Sequence, residues 1–244
     1  MLFAGLSLAA FAVVAAAVFA GTIAQRLSGQ AYGMIASPIV ALIAPEHLPA
    51  TILILGLFVG AGALSMDLSA VSWREAGPGF AGRAAGAVIG AALAAKLADT
   101  AGFGVAVALL VLAAVALSVS GLRPAIRPAT LATAGCVAGV MGTITAIGAP
   151  PMAILYAHEE AKRSRAMQNL FFGFGMVCSI SSLAAFGVVD RADLILALWL
   201  LPVSALALLA ARPAARALEG RSIRPMALTL ATVAAFAILA RSVL

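Results

Sequence analysis

The chain has 244 residues, of which 64% are hydrophobic and only 10% charged, with a mean hydropathy of +1.14. Soluble domains average roughly 45–50% apolar and about 25% charged residues, so this composition excludes a water-soluble fold and makes lipid the solvent. The formal net charge is +6, but the basic clusters fall between apolar runs; this is a topology signal rather than a nucleic-acid footprint, and no nucleic-acid partner is expected.

A bilayer core about 30 Å thick takes roughly 20 helical residues to cross. Uncharged runs of about that order cover 1–25, 27–45, 48–66, 100–122, 128–157, 166–189 and 194–211. Two shorter runs, 84–95 and 225–240, reach spanning length if Arg83, Lys96, Arg224 and Arg241 snorkel from their ends. The inside/outside alternation of barrel strands is absent, so the fold class is all-α, a polytopic transmembrane helical bundle. Breakers and charges divide it into ten helical pieces: 3–25, 31–44, 49–66, 79–98, 103–121, 128–145, 149–157, 165–188, 193–211 and 223–241. The first resembles a signal peptide, but no Lys or Arg precedes it and its uncharged run exceeds a usual h-region, so it is expected to stay in the mature protein.

Two breaks, Arg26 to Gln30 and Ala146 to Pro151, interrupt otherwise apolar stretches, and the pieces after them are too short to span alone. Irregular backbone at membrane depth is tolerated only where protein buries it or it lines a cavity. If each broken pair is a re-entrant hairpin, the loops 67–83, 122–127, 158–165 and 212–224 share one face, which then holds 11 of the 15 Lys and Arg residues. The positive-inside rule makes that face cytoplasmic, with both termini outside. Five pieces per half make the halves inverted repeats, each a broken hairpin plus three spanning helices: residues 1–121 and 128–244, joined by a short cytoplasmic linker, 122–127. Their sequence likeness is faint, Ser28-Gly29 against Thr145-Ala146.

A half-helix starting at mid-membrane presents unpaired N–H groups and partial positive charge, which suits an anion. Gly29 and Gln30 open one such half-helix, and Gly148 and Pro150 the other, with Gln25, Ser28, Thr143 and Thr145 able to hydrogen-bond an oxyanion. Arg26 is the only charge between residues 1 and 45, read either as an anion-pairing group or as a structural Arg bonded nearby. The nine acidic residues lie near loops or helix ends, so no buried carboxylate is expected, and His47 and His158 read as solvated interface residues. Cys136 and Cys178 read as inert small hydrophobes. No His/Cys/Asp cluster has metal spacing and no cofactor is implied. Ser118-Val119-Ser120-Gly121 faintly resembles an intramembrane serine nucleophile, but no base lies at its depth, so the chain is not expected to be an enzyme.

The stretch from Gly21 to Gly33 (GTIAQRLSGQAYG), Ala36-Ser37-Pro38, and Ile43 to Pro49 (IAPEHLP) resemble the opening of the TauE/SafE sulfite exporter family. The segment from Ala138 to Pro151 (AGVMGTITAIGAPP) is similar to that family's second Gly-rich, Pro-terminated segment. The resemblance implies a secondary transporter in the inner membrane that exports a sulfur-containing anion such as sulfite or sulfoacetate. Where members often carry Gly-Phe-Gly or Gly-Gly-Pro, this chain has Gly29-Gln30-Ala31 and Gly148-Ala149-Pro150. The residues themselves leave open a carrier or channel for another small anion such as a carboxylate, or a membrane assembly factor. The expected partners are the small anion and the lipid bilayer, with the protein a monomer or homodimer.

Overall fold

The computed structural model describes residues 2–97, 100, 102–217 and 224–243. Ten α-helices run through them: α1 (Leu8–Ser28), α2 (Tyr32–Ile43), α3 (Ala50–Leu64), α4 (Trp73–Leu97), α5 (Gly102–Val119), α6 (Pro128–Thr145), α7 (Pro150–Leu155), α8 (Ala161–Ala185), α9 (Arg191–Ala217) and α10 (Arg224–Val243). The rest is three 3-10 turns and short connections, and no strand occurs among the described residues. Among the described residues, six helices are long and apolar enough to cross a membrane, namely α1, α4, α5, α6, α8 and the Arg191–Ala211 part of α9.

The ten helices fall on the ten predicted pieces, because in an apolar chain the stops are Gly, Pro and charge clusters. One boundary matters. α4 begins at Trp73, not at residue 79, and carries Pro78 within it. Near a helix start, proline forfeits only the hydrogen bond to one early carbonyl, so Gly77-Pro78-Gly79 does not stop the helix. Arg83 therefore stands eleventh among the 25 residues of α4, about 16 Å along its axis at 1.5 Å per residue. It is 3% exposed. The expectation that Arg83 snorkels from a helix end as part of the basic face is thus overturned.

Contacts made by the first five helices recur among the last five in matched pairs. α1 packs on α2 and α9, and α6 on α7 and α4; α3 lies against α9, and α8 against α4; α2 lies against α10, and α7 against α5. α3 meets α8, and α5 meets α10. Two polar ties follow the same pattern. His47, between α2 and α3, reaches Asp193 (Nδ1 to Oδ1 3.1 Å), while Tyr156, between α7 and α8, donates to Glu75 (2.9 Å). Each acid is the third residue of its helix.

α4 and α6 pack backbone against backbone. A Cβ on Gly82 or Gly86 would strike the carbonyl oxygen of Ala132 or Cys136, and one on Gly139 would lie 2.7 Å from the Gly86 Cα. Small residues every fourth position let backbones touch and gain dispersion contact where lipid supplies no hydrophobic drive. Most of the buried apolar core, including Tyr32, Leu53, Leu55, Ile147, Met176 and Leu196, forms one cluster through the centre of the bundle.

Candidate functional site

The two breaks have the same local construction. α1 ends on Gly29 in the left-handed region (φ 77°), with its N–H donating to the Gln25 carbonyl (2.7 Å). α6 ends on Ala146, also left-handed (φ 57°), donating to the Gly142 carbonyl (2.9 Å). In each, the preceding hydroxyl donates back one turn and accepts from the N–H two residues on: Ser28 to Ala24 O (2.8 Å) and from Gln30 N (3.3 Å), Thr145 to Met141 O (2.7 Å) and from Ile147 N (3.0 Å). Glycine takes this backbone conformation without penalty; an alanine is strained by roughly 1–2 kcal/mol. The tips also touch, since a Cβ on Gly33 would strike the Ala146 carbonyl oxygen.

Gln25 holds the first break closed. Fully buried, its Nε2 donates to Gly29 O (2.8 Å) and to Asn169 Oδ1 (2.9 Å), and its Oε1 accepts from Tyr32 N (3.0 Å). The first N–H of α2 is thereby occupied by protein. Arg26 turns away from the break: its Nη1 pairs with Asp67 Oδ2 (3.0 Å) and its Nε meets Met66 Sδ (2.7 Å). The same carboxylate oxygen takes Arg165 Nε at 3.2 Å, so one aspartate ties α1 to α8.

Beside the breaks lies a chamber of about 380 Å³, at the end of the bundle that carries the α7–α8 connection. Its polar wall is Ser28, Gln30, Ser118, Glu159, Ser164, Arg165 and Gln168, with Pro150 and Leu27 among its apolar groups. Of the predicted residues, Ser28, Gln30 and Pro150 line it, and Gly29 backs it, packed against Arg165 and Gln168. Thr143 is buried elsewhere, its hydroxyl 2.7 Å from that of Ser179. Thr145 borders a separate small apolar cavity with Ser37 and Pro38. Gly148 faces Arg83.

Gln168 lines a second, much smaller cavity as well, of about 10 Å³, together with Arg83, Gly148, Ala149, Met152, Phe171 and Phe172. Here the Arg83 guanidinium lies in a cradle of glycines. A Cβ on Gly142 would come within 2.7 Å of Nη2, one on Gly148 within 2.6 Å of Nη1, and one on Gly175 would strike Nε. Nε and Nη1 are buried and have no hydrogen-bond partner, as does Gln168 Oε1. Among the described residues no carboxylate lies within 4 Å of the guanidinium. Sequence reasoning missed Arg83, Gln168, Asn169 and Arg165.

A family model for the sulfite exporter TauE/SafE matches residues 13–238. This chain belongs to the TauE/SafE family. No curated protein and no solved structure matches it. As a TauE/SafE member with six apolar helices of spanning length, it is a multi-pass membrane protein of a transporter family.

Two expectations about titratable groups fail in this TauE/SafE chain. Asp67 and Asp193 are buried, at 3% and 2% exposure, although both lie at helix ends. His47 is buried too, whereas His158 is exposed. Position at a helix end does not ensure solvation when a connection folds back over a neighbouring helix. His47 and Asp193 satisfy each other, and Thr51 Oγ1 adds a bond to Asp193 Oδ1 (3.3 Å).

The hydrogen bond to Asp193 raises the His47 pKa above its ordinary value, opposed by burial. A raised folded-state pKa contributes stability that is fully present below about pH 6.5 and is lost as pH rises through the folded value. Thermal unfolding in detergent should therefore show Tm falling as pH is raised from about 6 through the folded-state value, with the slope flattened in His47→Gln. An equal slope in that variant would assign the effect to another group.

Proposed function

We propose that this protein exports a small sulfur-containing oxyanion, sulfite or an organosulfonate such as sulfoacetate, across the inner membrane by alternating access between two inverted halves. The carrying observation is the chamber of about 380 Å³ beside both helix breaks, whose wall mixes Ser28, Gln30, Ser118, Ser164 and Gln168 with the carboxylate Glu159 and with Arg165, itself paired to Asp67. Its size is at the lower end of small-molecule pockets, and its hydroxyl, amide and guanidinium groups offer hydrogen bonds to an anion. The recurring helix pairings, the matched breaks and the matched ties His47–Asp193 and Tyr156–Glu75 support the inverted-repeat reading. Halves that can exchange conformations can exchange the side that is open. The chamber lies at the end with the α7–α8 connection, which the charge distribution assigns to the cytoplasm; an export substrate enters from there.

The test is labelled sulfite flux in proteoliposomes, with sulfoacetate, taurine and acetate as competitors. Saturable flux blocked by sulfoacetate and unaffected by acetate is the expected result. Absence of sulfite flux in correctly inserted protein would remove the sulfite reading, and competition by acetate as strong as by sulfoacetate would favour a carboxylate carrier.

A further inference from the structure

We infer that Arg83 is the cation that binds the oxyanion head of the transported substrate, in a subsite behind the chamber that Gln168 covers; this rests on the anion-transport reading above. Three observations carry it. The guanidinium lies near the middle of a spanning helix, 3% exposed, with Nε and Nη1 lacking any hydrogen-bond partner. A buried charge in a membrane protein is expected to meet a countercharge, polar partners or water. Among the described residues, the other arginines that are not exposed do: Arg26 and Arg165 have Asp67, and Arg163 has Glu75 and Glu159.

Glycine backbone packs directly against the guanidinium, and Met152, Phe171 and Phe172 complete the lining of the cavity beside it. Gly142, Gly148 and Gly175 each leave out a side chain that would collide with the guanidinium, and they come from α6, the second break and α8. A guanidinium presents several N–H donors in one plane, which matches the paired oxygens of a sulfite or sulfonate better than the single point of a halide. The cavity beside Arg83, about 10 Å³, has room for no more than one water. Admission of an oxyanion requires Gln168 to turn toward the chamber, and among the described residues Gln168 is the one that lines both spaces. Its Oε1 is buried without a partner, while its Nε2 bonds only Ser164 Oγ (2.8 Å), one turn away on the same helix.

The experiment measures thermal stability of the full chain in detergent, with and without sulfite, sulfoacetate, chloride and acetate, for the wild type, Arg83→Met, Arg83→Lys and Gln168→Ala. The wild type is expected to be stabilised by sulfite and sulfoacetate more than by chloride. Arg83→Met should unfold at least about 3 °C higher than wild type without anion, because an uncompensated charge is gone, and should lose the anion response. Arg83→Lys should keep a response weakened about tenfold or more in affinity, since the charge remains and the planar donor set does not. Gln168→Ala should respond at lower anion concentration.

A lower anion-free Tm in Arg83→Met together with an intact anion response would overturn the inference and make Arg83 a structural residue. If Arg83→Met does not fold, an Arg83→Lys response equal to wild type overturns it as well. Flux separates the two readings. Normal sulfite flux in an Arg83 variant removes the subsite and leaves the transporter, whereas anion binding that depends on Arg83 without sulfite flux removes the sulfite reading and leaves the subsite.

Discussion

Gly86→Leu is expected to abolish the folded bundle, with protein extracted in detergent eluting as aggregate and showing no cooperative unfolding. A Cβ at this position already strikes the Cys136 carbonyl oxygen, and a collision with backbone is relieved only by moving a helix. Overpacking that side chains can absorb costs about 1–3 kcal/mol; here α4 and α6 would have to separate along their length, so the loss should exceed about 3 kcal/mol. The control is Gly173→Ala in α8, where a Cβ meets nothing within 4 Å. That change should be neutral or stabilise by up to about 1 kcal/mol through helix propensity. Comparable losses in both variants would mean that the α4–α6 contact is not what the glycines serve.

Gln25→Leu is the second large effect. Leucine approximates the shape but leaves Gly29 O, Tyr32 N–H and Asn169 Oδ1 without the bonds that Gln25 supplies at the first break. Each buried polar group left unsatisfied costs about 1–3 kcal/mol, so a total near 3–5 kcal/mol is expected after partial relaxation. Transport should be lost even in the fraction that folds, because the geometry of α2 relative to α1 depends on this side chain. Anion flux retained at the wild-type level in a stable Gln25→Leu protein would show the break to be held by packing alone.

The helices were legible because their ends are written locally. Gly29, Ala146, Pro128 and Pro150 each mark an end or a start within one turn of where the structure has it. The breaks were legible for the same reason. Arg26 was not, since its partner Asp67 is 41 residues away and nothing local points to it. Arg83 was hidden by Gly77-Pro78-Gly79, which reads as a stop and made it a first-turn residue. A signal was nonetheless present: Gly82, Gly86 and Gly90 flank Arg83 at four-residue spacing, and Gly135 and Gly139 repeat that spacing in α6. Small residues in that register mark a helix face pressed against protein, where a snorkelling Arg does not belong. Gln168-Asn169, two adjacent amides amid the apolar run of α8, carried a similar hint.

The glycine contact between α4 and α6 also bears on how the machine divides into moving parts. Backbones in direct contact cannot slide by part of a turn without steric collision, so this pair is expected to move as one rigid unit. α4 lies before residue 122 and α6 after residue 127. On the alternating-access reading proposed above, at least one moving body is therefore assembled from both sequence halves, and a hinge line crosses the boundary between them.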